Sequence, residues 1–300
     1  MNARSRRRFL IQSGRLGAAA LASTWLSSHA FANPLGRPIG VQLYTIKEAM
    51  QDDAAGTLGK LAKIGFREVE TAGFGKLSAK QFRKLLDDAG LACPSAHLSF
   101  DLDNLNAAFD DAHALGATYA ASGSLDGLVP LPKPKDATRA MSLDEAKRTA
   151  EIANRIGAAA KRAGLHYAYH NHAFEFADPG DGTVGYDVLL RETDPGLVKF
   201  EIDCGWMTFA GHNPVDYFTK HPHRFPLIHV KDFLAADDKD RPKEMRGAEL
   251  GHGSVDYKPI FTAAGKAGLQ HYFVEQEGPF VRMNPLQAVQ VDYDYLHSFQ

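Results

Sequence analysis

Four short stretches of this chain hold the side chains best suited to grip a cation. They are His170-Asn171-His172, Asp203 in Glu201-Ile202-Asp203-Cys204, His229 in Ile228-His229-Val230-Lys231, and Glu275 in Val274-Glu275-Gln276-Glu277. Two neutral imidazoles and two carboxylates would balance one divalent ion. Mixed nitrogen and oxygen ligation with open positions suits Mn²⁺, Fe²⁺, Co²⁺ or Zn²⁺, whereas Mg²⁺ and Ca²⁺ prefer oxygen throughout. Taken singly, a histidine on an apolar strand is ordinarily core, and an aspartate at a strand end is ordinarily a helix cap. Four such residues on successive segments are hard to explain by packing, because an unpaired buried charge is costly.

These residues need a scaffold that gathers consecutive strand ends at one place. After residue 36, strand and helix patterns alternate eight times. The candidate strands are Ile39–Thr45, Phe66–Thr71, Ala92–Leu98, Thr118–Ser122, Leu165–His172, Val198–Asp203, Leu227–Lys231 and Tyr272–Gln276. Several are continuous apolar runs, as expected of strands covered on both faces. Helical patterns over Ala54–Ile64 and Ala79–Ala89 both stop at a glycine, Gly65 and Gly90. Ser142-Leu143-Asp144-Glu145 is a capping box opening a long helix to Arg162. Pro214–Lys220, Tyr257–Ala267 and Pro285–His297 supply the last three helices.

Eight βα units in one run predict an α/β protein, a single-domain (β/α)8 TIM barrel, whose mouth collects all four ligand stretches. A doubly wound open sheet would want a glycine-rich turn after the first strand, and Thr45-Ile46-Lys47-Glu48 offers none. Gly251-His252-Gly253 follows the seventh strand, the wrong context for a dinucleotide fingerprint. Two long βα connections, Ser124–Met141 and Phe233–Ser254, would overhang the mouth.

The chain has 300 residues, 44% hydrophobic and 23% charged, which is ordinary for a globular protein. The first 32 residues hold five arginines and no acid. Without them, 34 basic residues become 29 against 36 acidic ones, about −7. A mildly acidic body argues against a nucleic-acid backbone as partner. Ser5-Arg6-Arg7-Arg8-Phe9-Leu10 resembles a twin-arginine export signal. A weakly apolar stretch from Leu16 to Leu26 follows, too short and polar for a stable membrane anchor. Ala30-Phe31-Ala32 then supplies a cleavage site. The expectation is therefore a signal peptide over residues 1–32, cleaved after Ala32, and a periplasmic barrel over 33–300 delivered by the twin-arginine machinery. The alternative is an amphipathic N-terminal helix that stays attached. Cys93 and Cys204 match no zinc-ribbon spacing and are expected as free, partly buried thiols.

Over about residues 37–298 the chain resembles the sugar phosphate isomerase/epimerase family, the xylose isomerase-like TIM barrels. The resemblance runs through Ile39-Gly40-Val41-Gln42-Leu43-Tyr44, Gly65-Phe66-Arg67-Glu68-Val69-Glu70 and His170-Asn171-His172-Ala173-Phe174-Glu175-Phe176. It continues in Glu201-Ile202-Asp203, His229-Val230-Lys231-Asp232, Gly251-His252-Gly253-Ser254-Val255-Asp256 and Phe273-Val274-Glu275-Gln276. It implies one divalent metal, often Mn²⁺, held by Glu, Asp, His and Glu from strands five to eight. Asp203, His229 and Glu275 match three of these. On strand five His170 stands where the family carries glutamate, with Glu175 as the other candidate if the loop folds back. In well-studied members the two glutamates are also the acid/base pair, so this departure counts against a simple ketose 3-epimerisation.

Residues two apart on a strand share a face, so Lys231, His172 and Glu277 accompany the ligands. Lys231 could bind a substrate oxygen or stabilise an enolate; otherwise it pairs with Asp232, Glu201 or Glu277. His172 is a candidate general acid/base or a ligand holder, and otherwise core. Glu277 and His97 are candidate sugar-hydroxyl partners, and Gln42, Tyr44 and Glu70 candidate pocket residues. Trp206 and Phe209 offer an apolar face to a sugar ring. Arg246 is a candidate substrate clamp. Structural roles compete for each.

The expected activity is that of an isomerase, epimerase or lyase on an unphosphorylated sugar, ketosugar, keto-glycoside or cyclitol. Chelation of a carbonyl and adjacent hydroxyl would acidify the neighbouring C–H. A base, Glu275, His172 or Glu175, would remove the proton to give a metal-bound enediolate. Two other classes remain open. One is an endonuclease IV-like metal-dependent phosphodiesterase; the other is a sugar-binding protein without turnover. A homo-oligomer is compatible with the sequence.

Overall fold

The computed structural model describes residues 35–132, 139–180, 182–234, 247–280 and 282–299. The export segment and Arg246 lie outside the described residues.

The strands are β1 (Gly40–Gln42), β2 (Glu68–Ala72), β3 (Ala92–His97), β4 (Tyr119–Ser122), β5 (His166–His170), β6 (Val198–Asp203), β7 (Leu227–Val230), β8 (Asp232–Phe233), β9 (Gly247–Ala248) and β10 (His271–Val274). Eight of them close a barrel in the order β1-β10-β7-β6-β5-β4-β3-β2, every pairing parallel. The (β/α)8 architecture is thus the one the alternating pattern predicts. β8 and β9 form a separate antiparallel ladder at the two ends of the long connection after β7.

Strand ends are shorter than the apolar runs suggested, and local hydrogen bonds explain why. The Gln42 side chain accepts from the Tyr44 N–H at 3.0 Å, so Leu43–Ile46 turns into a 3₁₀ helix. β5 stops at His170. Asn171 then continues the ladder with its side chain, accepting from the Asp203 N–H at 3.0 Å. Past β7, the Tyr257 hydroxyl accepts from the Lys231 N–H at 2.7 Å and donates to the Lys231 carbonyl at 2.6 Å.

The predicted helices are present, and Leu105–Leu115 and Gly185–Glu192 join them in the outer layer. The capping box at Ser142 is complete: its hydroxyl accepts from the Glu145 N–H at 3.3 Å, and Glu145 accepts from the Ser142 N–H at 2.8 Å. Gly90 closes the helix Ala79–Ala89 in the left-handed region, φ 71°. No helix among the described residues is long and apolar enough to cross a membrane.

A large apolar layer lies between the barrel and its helices. Inside the barrel, Tyr119, Ala121, Ala168, Leu227 and Phe273 fill the base. Gly40 makes room there, since a Cβ at this position would stand 2.5 Å from the Phe273 ring. Cys93 and Cys204 are buried and unpaired. The glycines after β7 serve a turn, not a phosphate. The Asp232 carboxylate accepts from the N–H groups of Phe233, Gly251, Gly253 and Val255 at 2.9–3.2 Å.

Candidate metal centre and its rim

Above the apolar base the barrel interior turns polar in two steps. The lower step consists of Gln42 on β1, Glu70 on β2, Ser95 and His97 on β3, Glu201 on β6 and His229 on β7, all but His97 fully buried. Glu70 is its hub. Gln42 Nε2 donates to it at 2.7 Å, His229 Nε2 lies 2.7 Å away, His97 Nε2 lies 3.1 Å away, and Ser95 Oγ makes a further short bond. Glu201 Oε2 stands 2.6 Å from His97 Nε2 and 3.3 Å from His229 Nε2.

The upper step brings His170, Asp203, His229 and Glu275 together. Each presents one ligand atom, and the four atoms lie within 4.8 Å of one another. His97, His170, Glu201 and His229 form a second such set beneath. His170 and His229 belong to both, and His229 has Nδ1 3.0 Å from Glu275 and Nε2 facing Glu70 and Glu201.

Asp203 divides its oxygens. Oδ1 caps the helix Cys204–Phe209, accepting from the Trp206 N–H at 2.7 Å. Oδ2 and His170 Nδ1 are buried with no hydrogen-bond partner among the described residues. Lys231 Nζ lies 3.2 Å from Oδ2, an ionic contact lacking hydrogen-bond geometry. His170 Nδ1 stands 3.6 Å from Glu201 Oε2, and two such unsatisfied polar atoms, in a cluster with a second carboxylate and a second imidazole, fit a divalent cation.

Lys231 caps the cluster from the rim. Its ammonium contacts Glu275 at 2.8 Å and Glu277 at 2.9 Å, and stands 5.1 Å over the Trp206 ring. Gly205 permits this approach, because a Cβ there would meet the Lys231 carbonyl oxygen at 2.6 Å. Trp206 Nε1 donates to Glu277 at 3.2 Å, and its ring packs on Phe233 and Phe209. His172 sits beside this wall, 4.8 Å from the His170 ring and 6.3 Å from Trp206.

Burial lowers the pKa of Lys231, but Asp203, Glu275 and Glu277 outweigh it and raise the pKa well above the usual lysine value. Against a similar burial penalty, Lys231 and His229 keep Glu275 ionised, its pKa depressed. For Asp203 burial wins over Lys231 and His229, and its pKa rises to about 6. His170 is pushed well below the histidine range by burial and by its neighbours His229, His172 and His97. Burial also lowers His172 to about 4, leaving it neutral at pH 7. Glu70 is depressed: despite burial, His97 and His229 favour its charge.

The other expected residues divide by position. Tyr44 lines a cleft of about 470 Å³ beside the rim, together with Lys47, Glu277 and Phe280. His97 and Glu70 lie below the ligand cluster, their polar atoms engaged within the lower step. Glu175 is not among the atoms that converge. It faces the outer layer, where Tyr169 OH donates to it at 3.0 Å and the His172 N–H at 2.9 Å. Burial pushes its pKa up to about 8. From the sequence, Glu201 stands only as a candidate partner of Lys231. The signal for more is present, since Glu201 is two residues from Asp203 and therefore shares its inward face.

A model of the xylose isomerase-like TIM barrel family matches residues 58–296. An inosose dehydratase of Lacticaseibacillus casei is 28% identical over 272 residues, covering 80% of this chain and 88% of that protein. An inosose dehydratase of Geobacillus thermodenitrificans is 31% identical over 148 residues, covering 45% of this chain and 48% of that protein. A sugar phosphate isomerase/epimerase structure from Parabacteroides distasonis superposes with a TM-score of 0.69 at 27% identity, covering 87% of this chain and 94% of that one.

Proposed function

Since this chain belongs to the xylose isomerase-like TIM barrel family, we propose that it is a metal-dependent enzyme of the isomerase, epimerase or lyase type. Its substrate is an unphosphorylated ketosugar, keto-glycoside or ketocyclitol. The observation that carries this reading is the convergence of His170, Asp203, His229 and Glu275 beneath a charged lysine.

Those four side chains would hold one divalent ion, Mn²⁺ being favoured, which supplies Lewis acidity toward a carbonyl and its adjacent hydroxyl. The protein's own groups do the rest. Lys231 donates to the oxygen on which negative charge gathers after proton loss. His172, uncharged at pH 7, is the base nearest the apolar wall. Trp206, Phe209 and Phe233 form that wall and keep water from the reacting carbon.

Elimination is the favoured outcome. The C–H proton passes to His172. The pair of electrons forms the C=C bond, and the β-hydroxyl leaves as water after taking that proton back. No co-reactant is needed. This outcome is supported by His170 in place of a second glutamate on β5, and by the likeness to inosose dehydratases. The twin-arginine-like segment Ser5–Leu10, within residues 1–32, supports a periplasmic location in this reading.

The test begins with metal analysis of the purified mature protein, followed by a panel of ketosugars and ketocyclitols in D₂O. We expect a stoichiometric divalent ion and either deuterium at the carbon next to the carbonyl or a dehydrated product. A metal-free protein that leaves every C–H unexchanged would overturn the proposal, and cleavage of abasic DNA would replace it with phosphodiester hydrolysis. Accumulation in the cytoplasm of a strain with working twin-arginine export would remove the assignment to the periplasm.

A further inference from the structure

We infer that Glu70 is a positioning residue, fixing His229 so that Nδ1 faces the ion while Nε2 keeps its proton. This inference rests on the metal reading above. Glu70 lies on β2 and His229 on β7, strands that are not neighbours in the barrel. Their 2.7 Å contact therefore crosses the interior as a strut. Glu70 is fully buried, so the bond forms away from water. On the opposite edge of the same ring, Nδ1 faces Glu275 at 3.0 Å and Asp203 at 3.9 Å. One nitrogen thus points at ligand groups and the other at a carboxylate. That is how proteins commonly orient a ligating histidine and raise its basicity.

The groups around Glu70 favour a charged carboxylate there. Its four partners can all donate to it: the Gln42 amide, the Ser95 hydroxyl, His97 and His229. Gln42 cannot turn over to offer its oxygen, because that oxygen accepts from the Tyr44 N–H. A glutamine at position 70 could turn its NH₂ to the Ser95 hydroxyl, which also accepts, but it would offer Gln42, His97 and His229 a neutral amide oxygen in place of a charged one. Glu201 is the weaker candidate for the same task. It stands 3.3 Å from His229 Nε2, and its nearer contact is His97 at 2.6 Å.

The test compares the full chain with Glu70→Gln, Glu70→Asp and Ser95→Ala. Two readouts are used: Co²⁺ affinity by chelator competition, and ¹⁵N-resolved imidazole signals with and without Zn²⁺. In the wild type, Zn²⁺ should displace the His229 Nδ1 proton and leave Nε2–H in place. Glu70→Gln should weaken Co²⁺ binding by about 10–100-fold and shift the Nε2–H signal, because a neutral amide oxygen accepts more weakly than a carboxylate. Glu70→Asp should keep that signal with a smaller loss of affinity, and Ser95→Ala should fall between wild type and Glu70→Gln. Wild-type affinity and an unchanged His229 signal in Glu70→Gln would overturn the inference. So would equal losses in the Gln and Asp variants, which indicate packing alone. If Glu70→Gln does not fold, unchanged Co²⁺ affinity in both remaining variants overturns it. A wild type that binds neither metal defeats the proposed function instead. The metal-free His229 signal then still reports whether Glu70 holds Nε2–H.

Discussion

The lower and upper halves of the barrel interior use the same eight strands for opposite ends. At the base, Tyr119, Ala121, Ala168, Leu227 and Phe273 interlock, and the one ion pair described there, Glu68 with His271 at 2.9 Å, is partly solvated at the edge. Further along five of the strands, the inward positions become Gln42, Glu70, Ser95, Glu201, Asp203, His229 and Lys231. Burying charge in this way costs more than burying hydrocarbon, and well-packed apolar replacements are often neutral or stabilising. Folding alone does not call for the upper half. It is the portion of the core given over to chemistry, and the base is what makes that portion affordable.

The comparison breaks most visibly at the proposed ligands. Asp203→Ala and His229→Ala should each weaken metal binding by more than about 100-fold and abolish turnover, while the barrel still folds. Phe273→Ala should do the reverse, costing about 3–5 kcal/mol of stability with the ion retained by the folded fraction. Metal content and urea unfolding of the three variants decide the matter. An Asp203→Ala protein that keeps a stoichiometric ion would show that the centre is elsewhere.

Next in size is Lys231→Met. Removing one partner of a buried ionic cluster typically costs about 3–5 kcal/mol, here by leaving Asp203 and Glu275 without their ammonium. Added Zn²⁺ should restore most of that loss, because a cation replaces the missing charge. Unfolding curves with and without Zn²⁺ test this, and equal losses in both would separate Lys231 from the metal site.

Glu175 sharpens the boundary between the site and the outer layer. Its pKa of about 8 lies above the ordinary carboxyl value of about 4.3. The folded protein therefore keeps a proton that the unfolded chain releases. Stability is fully present below about pH 4 and declines as the pH rises toward 8. Glu175→Gln should lose that decline, gaining on wild type between pH 5 and 8 with metal affinity unchanged. Thermal melts across this range check the sign. The smallest effect belongs to Trp206→Phe, which keeps an aromatic wall but removes the 3.2 Å bond to Glu277. A loss of about 0.5–1.5 kcal/mol in substrate binding is expected, read as a raised KM.

The fold was legible because parallel strands covered on both faces advertise themselves as apolar runs, and the runs at Val198–Asp203 and Leu227–Val230 lie where the sequence puts them. The convergence of His170, Asp203, His229 and Glu275 was legible because a strand alternates its faces. The same rule pointed to Glu201, but its carboxylate serves the layer below and offered no separate motif. Glu70 and His97 resemble pocket residues because they lie near or at the ends of their strands. Only three-dimensional proximity shows that both reach inward beneath the ligands, where their partners come from distant parts of the chain. Glu175 was misleading for a local reason. With β5 ending at His170, the following loop turns that carboxylate back onto Tyr169.

One consequence concerns Asp203, whose Oδ1 starts a helix while Oδ2 faces the proposed ion. Any pull on Oδ2 is transmitted through a rigid carboxylate to the backbone of Trp206. The chain has two tryptophans, and Trp25 falls within the expected leader, so the mature protein would carry a single indole. Its emission would make loading visible optically, without label or substrate.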